Sequence, residues 1–407
     1  MKKIISVVAL LFVLVAIPVV TTYASDGDVN ADREAQIAEH QQFILEWYRA
    51  ADFHTMYDGF RLFIGERRVW TPFISETDGV LYIPADVLFY NLGAISPWDS
   101  DDYRELSSLI TQLPNRGEQT VFSLGGVTIE FFSHLPLIYV NGEPQYLENP
   151  AYIFVTMLVP FLEVAELINQ NVEITEDDDG NTVFTLTPQT SFDEDTVTFL
   201  NMLNANAIVR HRRSGSLAPG GNIDYVGGMH PGLVNSRSAR RSLYTYWNIT
   251  DRDDVFEVIA RLYASGHNIR YLTEHINEGT ESPWGDSGLL GWDLGRVAQV
   301  ASISFVAGYI TMDEFVELSL PAAIILQMHF DSWEEFGENF VHGSAFWLGN
   351  RRGAEAQLRH RRLAHEEFVA RHVRNIPPWD MDFSWAMDIS MEILAKLHDI
   401  IYGFAVS

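Results

Sequence analysis

The sequence predicts an α+β protein, a β-rich half followed by an all-α half. Three observations predict it. Between residues 60 and 187, apolar and β-branched runs alternate with turn signals. From Asp193 onward, apolar residues recur at helical spacing behind Asp, Ser and Thr caps. The 407 residues are 47% hydrophobic and 13% aromatic, which is enough apolar side chain to build a core in each half.

At the N-terminus, Lys2 and Lys3 precede an apolar stretch from Ile4 to Val20 and then Thr21-Thr22-Tyr23-Ala24. That order is the order of an export signal with cleavage after Ala24, so residues 1–24 are expected to leave. The stretch contains Ser6 and Pro18 and is short for ~30 Å of hydrocarbon. An uncleaved anchor is the alternative, and a membrane partner is expected only in that case. Either way the bulk of the chain is expected outside the cytoplasm, secreted or at the cell surface. Within residues 25–57, Ile37, Ile44, Leu45 and Tyr48 fall at helical spacing and predict an amphipathic helix.

Residues 58–190 make the β-rich unit. Its predicted strands are Arg61–Ile64, Val69–Ile74, Val80–Ile83, Gly126–Phe132, Leu137–Val140, Val172–Ile174 and Thr182–Leu186. Asn141-Gly142 and Asp179-Gly180-Asn181 are hairpin signals. There is also an internal echo. Ile83-Pro84 and Leu92-Gly93 recur, 76 residues later, as Val159-Pro160 and Ile168-Asn169. Each copy reads as a strand end, a Pro in the first turn of a short helix, and a left-handed stop. Residues 191–235 hold a helix and a Gly-, Pro- and Ser-rich linker or long loop, residues 236–380 a helical unit, and residues 381–407 a C-terminal helix.

Charge and composition exclude several functions. There are 55 Asp and Glu against 27 Lys and Arg, a formal net charge of −28. No nucleic-acid partner is expected, because phosphate backbones need clustered cations. With no Cys there is no disulfide, thiolate metal site or thiol nucleophile. The basic residues are 24 Arg and 3 Lys (Lys2, Lys3 and Lys396). Loss of residues 1–24 leaves −30 and Lys396 alone for any Schiff-base chemistry.

Four segments carry a hint of chemistry, and each has a plainer reading. Gly285-Asp286-Ser287-Gly288 resembles the surroundings of a serine nucleophile but lies in helical context, so a loop is expected. His360, His365, Glu366 and His372 lack the His i, i+4 spacing of a zinc helix, since position 369 is Val, and are expected on a solvated, charge-paired helix face. Glu176-Asp177-Asp178-Asp179-Gly180 fails as a calcium loop, with Thr175 first and Leu186 twelfth, and reads as an acidic turn. No metal site and no cofactor are expected. Arg210-His211-Arg212-Arg213, with Arg237, Arg240 and Arg241, is expected to pair with the chain's own carboxylates between the halves.

The echoed segments, with Val140-Asn141-Gly142 between them, resemble the copper amine oxidase N-terminal-like, or stalk, domain, over about residues 58–188. The sequence departs from that family at Asp86, Leu162 and Asn169-Gln170. The resemblance implies a display or binding module and no oxidase, since no Asn-Tyr-Asp/Glu tripeptide is present.

The helical half carries the densest pattern. Trp247 to Arg252, Leu262 to His267, Trp292-Asp293-x-x-Arg296, Gly308-Tyr309-Ile310, Ser332 to Phe336 and Gly343-x-x-x-Trp347 follow in order. Together they resemble the bacterial family catalogued as domain of unknown function 1266, over about residues 236–350, with Asn248 where Gly is usual. That resemblance implies an all-α domain without established activity. Trp292, Asp293 and Arg296 share one helix face. In one reading Arg296 is buried and paired with Asp293 or Asp251, inside a core of Trp247, Trp292, Trp333 and Trp347. In the other, Arg252 and Arg296 clamp an anion while Asp251, Asp293, Glu334 or His342 supplies acid–base function. The expected function is non-catalytic binding or scaffolding at the cell envelope, with an unspecified envelope or extracellular ligand. An extracytoplasmic, carboxylate-dependent hydrolase acting at the Trp-Asp-x-x-Arg segment is the alternative.

Overall fold

The computed structural model describes residues 60–69, 75–77, 80–95, 119–132, 136–149, 151–153, 157–213 and 221–383. The expected export signal, the helix within 25–57, Lys396 and residues 384–407 of the C-terminal helix lie outside the described residues.

The architecture is α+β. The strands are β1 (Phe60–Ile64), β2 (Arg67–Val69), β3 (Ser75–Thr77) and β4 (Val80–Pro84), followed by helix α1 (Ala85–Leu92). Next come β5 (Gln119–Leu124), β6 (Val127–Phe132), β7 (Leu137–Val140), β8 (Glu143–Tyr146), β9 (Tyr152–Ile153) and β10 (Met157–Pro160), then α2 (Phe161–Leu167), β11 (Gln170–Glu176) and β12 (Thr182–Pro188). They form three four-stranded sheets, ordered β11-β12-β1-β2, β3-β4-β10-β9 and β5-β6-β7-β8. β1 alternates, with Leu62 and Ile64 inward, and pairs in parallel with β12, whose Phe184 and Leu186 also face in. Asn141 and Gly142 both take positive φ between β7 and β8, as an Asn-Gly hairpin turn requires.

The echo is real in three dimensions. β4 and β10 pair antiparallel, with Ile83 directly opposite Val159, so the two strand–Pro–helix copies meet across a local two-fold. Pro84 and Pro160 are the last strand residues and the helix N-caps, one position earlier than the first-turn placement expected. Their fixed φ suits both roles, and each pre-empts an amide that no helix bond would use. Gly93 and Asn169 take the positive φ that stops each copy. Phe89, Phe131, Phe161 and Phe184 fill the resulting core.

The helical half comprises α3 (Glu194–Met202), α4 (Ala205–Arg213), α5 (Leu233–Trp247), α6 (Arg252–Ser265), α7 (His267–Glu278), α8 (Leu290–Ala307), α9 (Met312–His329), α10 (Trp333–Leu348) and α11 (Ala354–Arg371). α8 is buried on nearly every side and packs against α5, α6, α9 and α10. Caps stand where the sequence puts them. Asp193, Asp251 and Ser332 accept from backbone N–H groups of α3, α6 and α10, and Thr311 with Glu314 makes a full capping box on α9. Asn248 takes φ +57 as the C-cap of α5, the left-handed position for which Gly is the usual choice.

The Gly-rich loop is held in its described part. Asn201 donates to the carbonyls of Ile223 and Tyr225 and accepts from Gly227 N. The two halves touch through backbone. Gly125 N donates to Gly308 O at 2.9 Å, and the Arg240 guanidinium donates to Gly93 O and Ala307 O. Thr190 Oγ1 and Ser191 N both donate to Asp313. The expected pairing of basic residues between the halves is therefore carried by Arg240 on carbonyls. Arg212, on α4, pairs instead with Glu367 on α11, inside the helical half.

Candidate functional site

Asp293 and Arg296 come together in the first two turns of α8, as an i, i+3 ion pair with side chains 3% and 8% exposed. The partner of Arg296 is Asp293, not Asp251. Asp293 does more than neutralise it. Its Oδ2 accepts from Asn268 N at 2.7 Å, so its carboxylate sits on the N-terminus of α7. Gly266 makes this approach possible, because a Cβ there would collide with that carboxylate. His267 Nδ1 lies 2.9 Å from Arg296 Nη2 and 3.5 Å from Asp293 Oδ1. Burial pushes the Asp293 carboxyl up. The His267 side chain, the Arg296 charge and the amides of Asn268 and His267 outweigh it and hold the carboxyl below its ordinary range. The Gly-His and Trp-Asp-x-x-Arg segments are thus one network that locks α6, α7 and α8 together.

Tryptophans close it over. The Arg296 guanidinium lies 4.8 Å from the Trp292 ring centre and 5.7 Å from that of Trp247. Trp292 in turn meets Trp347 at 5.8 Å between centroids. Gly343, one turn before Trp347, is where α10 reaches α8, since a Cβ there would overlap the Trp292 Cβ. Trp333 is not part of this group. It packs with Phe199, Phe368 and Trp379 in the main helical core.

The remaining predicted site residues are scattered. Asp251 caps α6 through Asp254 N. Arg252 stacks on Phe256, pairs with Glu314 and lies against Gly126, where the halves touch. It does not join Arg296 in a clamp. Glu334 and His342 both line a groove of about 660 Å³ between α10 and α11. Its walls are Trp284, Val341, Leu358 and Val369, and its rim carries Glu334, Glu338 and Glu366 together with Arg362. His342 Nε2 is 3.2 Å from the Tyr271 hydroxyl, and burial, with His275 adding to it, lowers its pKa. His365 also lines the groove, 9% exposed and set against Gly337. Burial lowers its pKa, with Glu338, Glu334 and Glu366 acting against the shift. Its burial corrects the expectation of a solvated, charge-paired helix face at His365. Its position two turns before His372 marks a buried helix face only once α10 is in place.

The other hints resolve as structure. Asp177 binds Arg61 and accepts from Asp179 N and Asn181, tying the acidic turn to β1. Ser287 Oγ lies 3.2 Å from His329 Nδ1 in an exposed turn, and no carboxylate of the described residues orients that His. Among the described residues, no group of three or more His, Asp or Glu side chains is placed to hold a metal. No helix there is long and apolar enough to cross a membrane.

Residues 274–380 match the family model described as "Protein of unknown function (DUF1266)". The matched span takes in α8 to α11, and so the buried Asp293–Arg296 pair, the Trp292–Trp347 contact and the α10–α11 groove. Comparison with curated proteins and with solved structures returns no match.

Proposed function

We propose that this chain is an exported, non-catalytic binding protein of the cell envelope, in which a stalk-like β-rich half presents the helical half and the α10–α11 groove holds the ligand. The observation that carries this reading is the contrast between two sets of charged groups. Asp293 and Arg296 are buried and satisfied within the fold, 2% and 7% exposed, and offer a substrate no approach. The groove is open and keeps its carboxylates on an exposed rim above an apolar floor. Its volume lies in the range of small-molecule sites. Apolar walls with three Glu and one Arg (Arg362) at the edge leave an excess of negative charge that complements a ligand with an apolar body and a cationic end, and Trp284 adds a π face for the cation. Export rests on Lys2, Lys3 and the apolar run to Val20.

A carboxylate-dependent hydrolase at the Trp-Asp-x-x-Arg segment needs access to Asp293, which the burial of that residue argues against. The test is titration of the full chain with 2-phenylethylamine and with uncharged 2-phenylethanol, followed by Trp fluorescence. The amine should bind about tenfold more tightly, the equivalent of one modest charge pair, and Glu338→Gln should remove the difference. Equal affinity for the two probes would sink the assignment.

A further inference from the structure

Arg361, on α11, turns away from the groove. It is 8% exposed, and its guanidinium lies 4.9 Å from the Trp292 ring centre and 5.8 Å from that of Trp347. Arg351 covers Trp347 from the exposed end at 4.9 Å. With Arg296 on the inner side, Arg and Trp side chains stack in one continuous series from Trp247 out to Arg351.

Charge is not balanced along that series. Arg296 has Asp293. Among the described residues Arg361 has no carboxylate partner, and its sealed Nε has no hydrogen-bond acceptor. The Trp292 indole N–H beside it is likewise sealed without an acceptor. Asn206 Nδ2 on α4 donates to the Arg361 carbonyl at 2.9 Å, fastening α4 to α11. One turn further along α4 is Arg210, which also has no carboxylate partner among the described residues. Burial, then the charges of Arg210 and Arg296, pull Arg361 down to about 9. Burial lowers Arg210 as well.

Two indole faces offset only part of this. A cation–π contact contributes ~1–2 kcal/mol, whereas a buried ion costs several kcal/mol unless its charge is met. Three guanidinium groups with one carboxylate leave a deficit of negative charge at the α4–α11 contact.

We propose that Arg361 and Arg210 form an anion site for a phosphate group, entered from the side of Trp347 and Arg351. A phosphate carries about −1.5 to −2 at neutral pH, the charge that two unpaired guanidiniums lack, and guanidinium pairs with it through forked hydrogen bonds. The indoles of Trp292 and Trp347 wall the Arg361 side of the site, and Arg210 is half-buried. The site is separate from the groove and does not depend on it.

The probe is inorganic phosphate, with chloride at equal ionic strength and acetate as a singly charged carboxylate, and thermal unfolding of the full chain as the readout. Phosphate at about ten times its dissociation constant should raise the melting temperature by about 2–4 °C over chloride, with acetate well below phosphate. Arg361→Met should abolish the phosphate response and, in chloride, should melt no lower than the unaltered chain. Arg210→Gln should cut the response severalfold. Equal effects of phosphate and chloride would overturn the proposal. So would a response that survives in both variants, or an Arg361→Met protein that melts lower in chloride, because its guanidinium would then already be compensated.

Discussion

Asp293 performs three tasks with one carboxylate: it pairs with Arg296, receives an amide of α7 and lies beside His267. Its burial would be costly without all of them. Asp293→Asn keeps the shape and removes the charge, leaving Arg296 buried and unmatched. The expected loss is about 3–5 kcal/mol, measured by urea unfolding. A variant as stable as the parent would show the pair to be held for something other than structure. A comparable device holds α9. Pro321 interrupts that helix, and the Tyr263 hydroxyl fits between Leu318 O and Ala322 N, donating to one and accepting from the other. At this scale the sequence made the Asp293–Arg296 pairing legible, because i, i+3 spacing on one helix is a local fact. Its choice over Asp251 was not legible, since Asp251 is excluded only by where α6 packs.

At the scale of elements, small residues set how closely helices approach. Gly343 admits Trp292 of α8 against the backbone of α10, and Gly337 admits the His365 imidazole of α11, which a Cβ there would overlap. Gly343→Ala places a methyl group on the Trp292 Cβ, and α8 and α10 must separate. The expected cost is about 1–3 kcal/mol, with near-ultraviolet circular dichroism of the Trp292–Trp347 pair altered. Unchanged stability and spectrum would contradict the contact. Hairpin turns, caps and most of the longer strands were legible because each depends on residues a few positions apart, whereas β3, β5, β8 and β9 were not among the expected strands. The Pro positions were misplaced by one because a strand ending in Pro and a helix beginning at Pro share the same φ. The antiparallel meeting of the two echoed strands was not legible, since internal similarity shows that two pieces are alike and says nothing of how they pair.

For the molecule as a whole, the net charge of −28 keeps the surface acidic while His365 is buried and His342 half-buried. Burial lowers His365 and His342. Their folded pKa values lie below the unfolded value of ~6.5, so the unfolded chain takes up protons first as pH falls. Their contribution is intact above ~6.5 and is lost below it, down to the folded values. Carboxylates stay largely ionised until below about 5, so charge repulsion is not relieved in that window. The melting temperature should fall between pH 7.5 and 5, and His365→Gln should flatten the slope. A melting temperature that rises on acidification would refute this account.

The α+β class, the order of the two halves, most caps and turns, and the absence of thiol chemistry were determined by the sequence alone. They follow from periodicity, local hydrogen bonding and composition, which act over a few residues or over none. Only the tertiary structure decided that Asp293 and Arg296 are sealed, that Arg252 faces the β-rich half, and that Trp333 stands apart from the other tryptophans. It also decided that the scarce Arg residues divide into a compensated group at Asp293 and an uncompensated one at Arg361 and Arg210. Burial and charge compensation depend on side chains brought together from α4, α8, α10 and α11, and no spacing along the chain encodes which of them will meet.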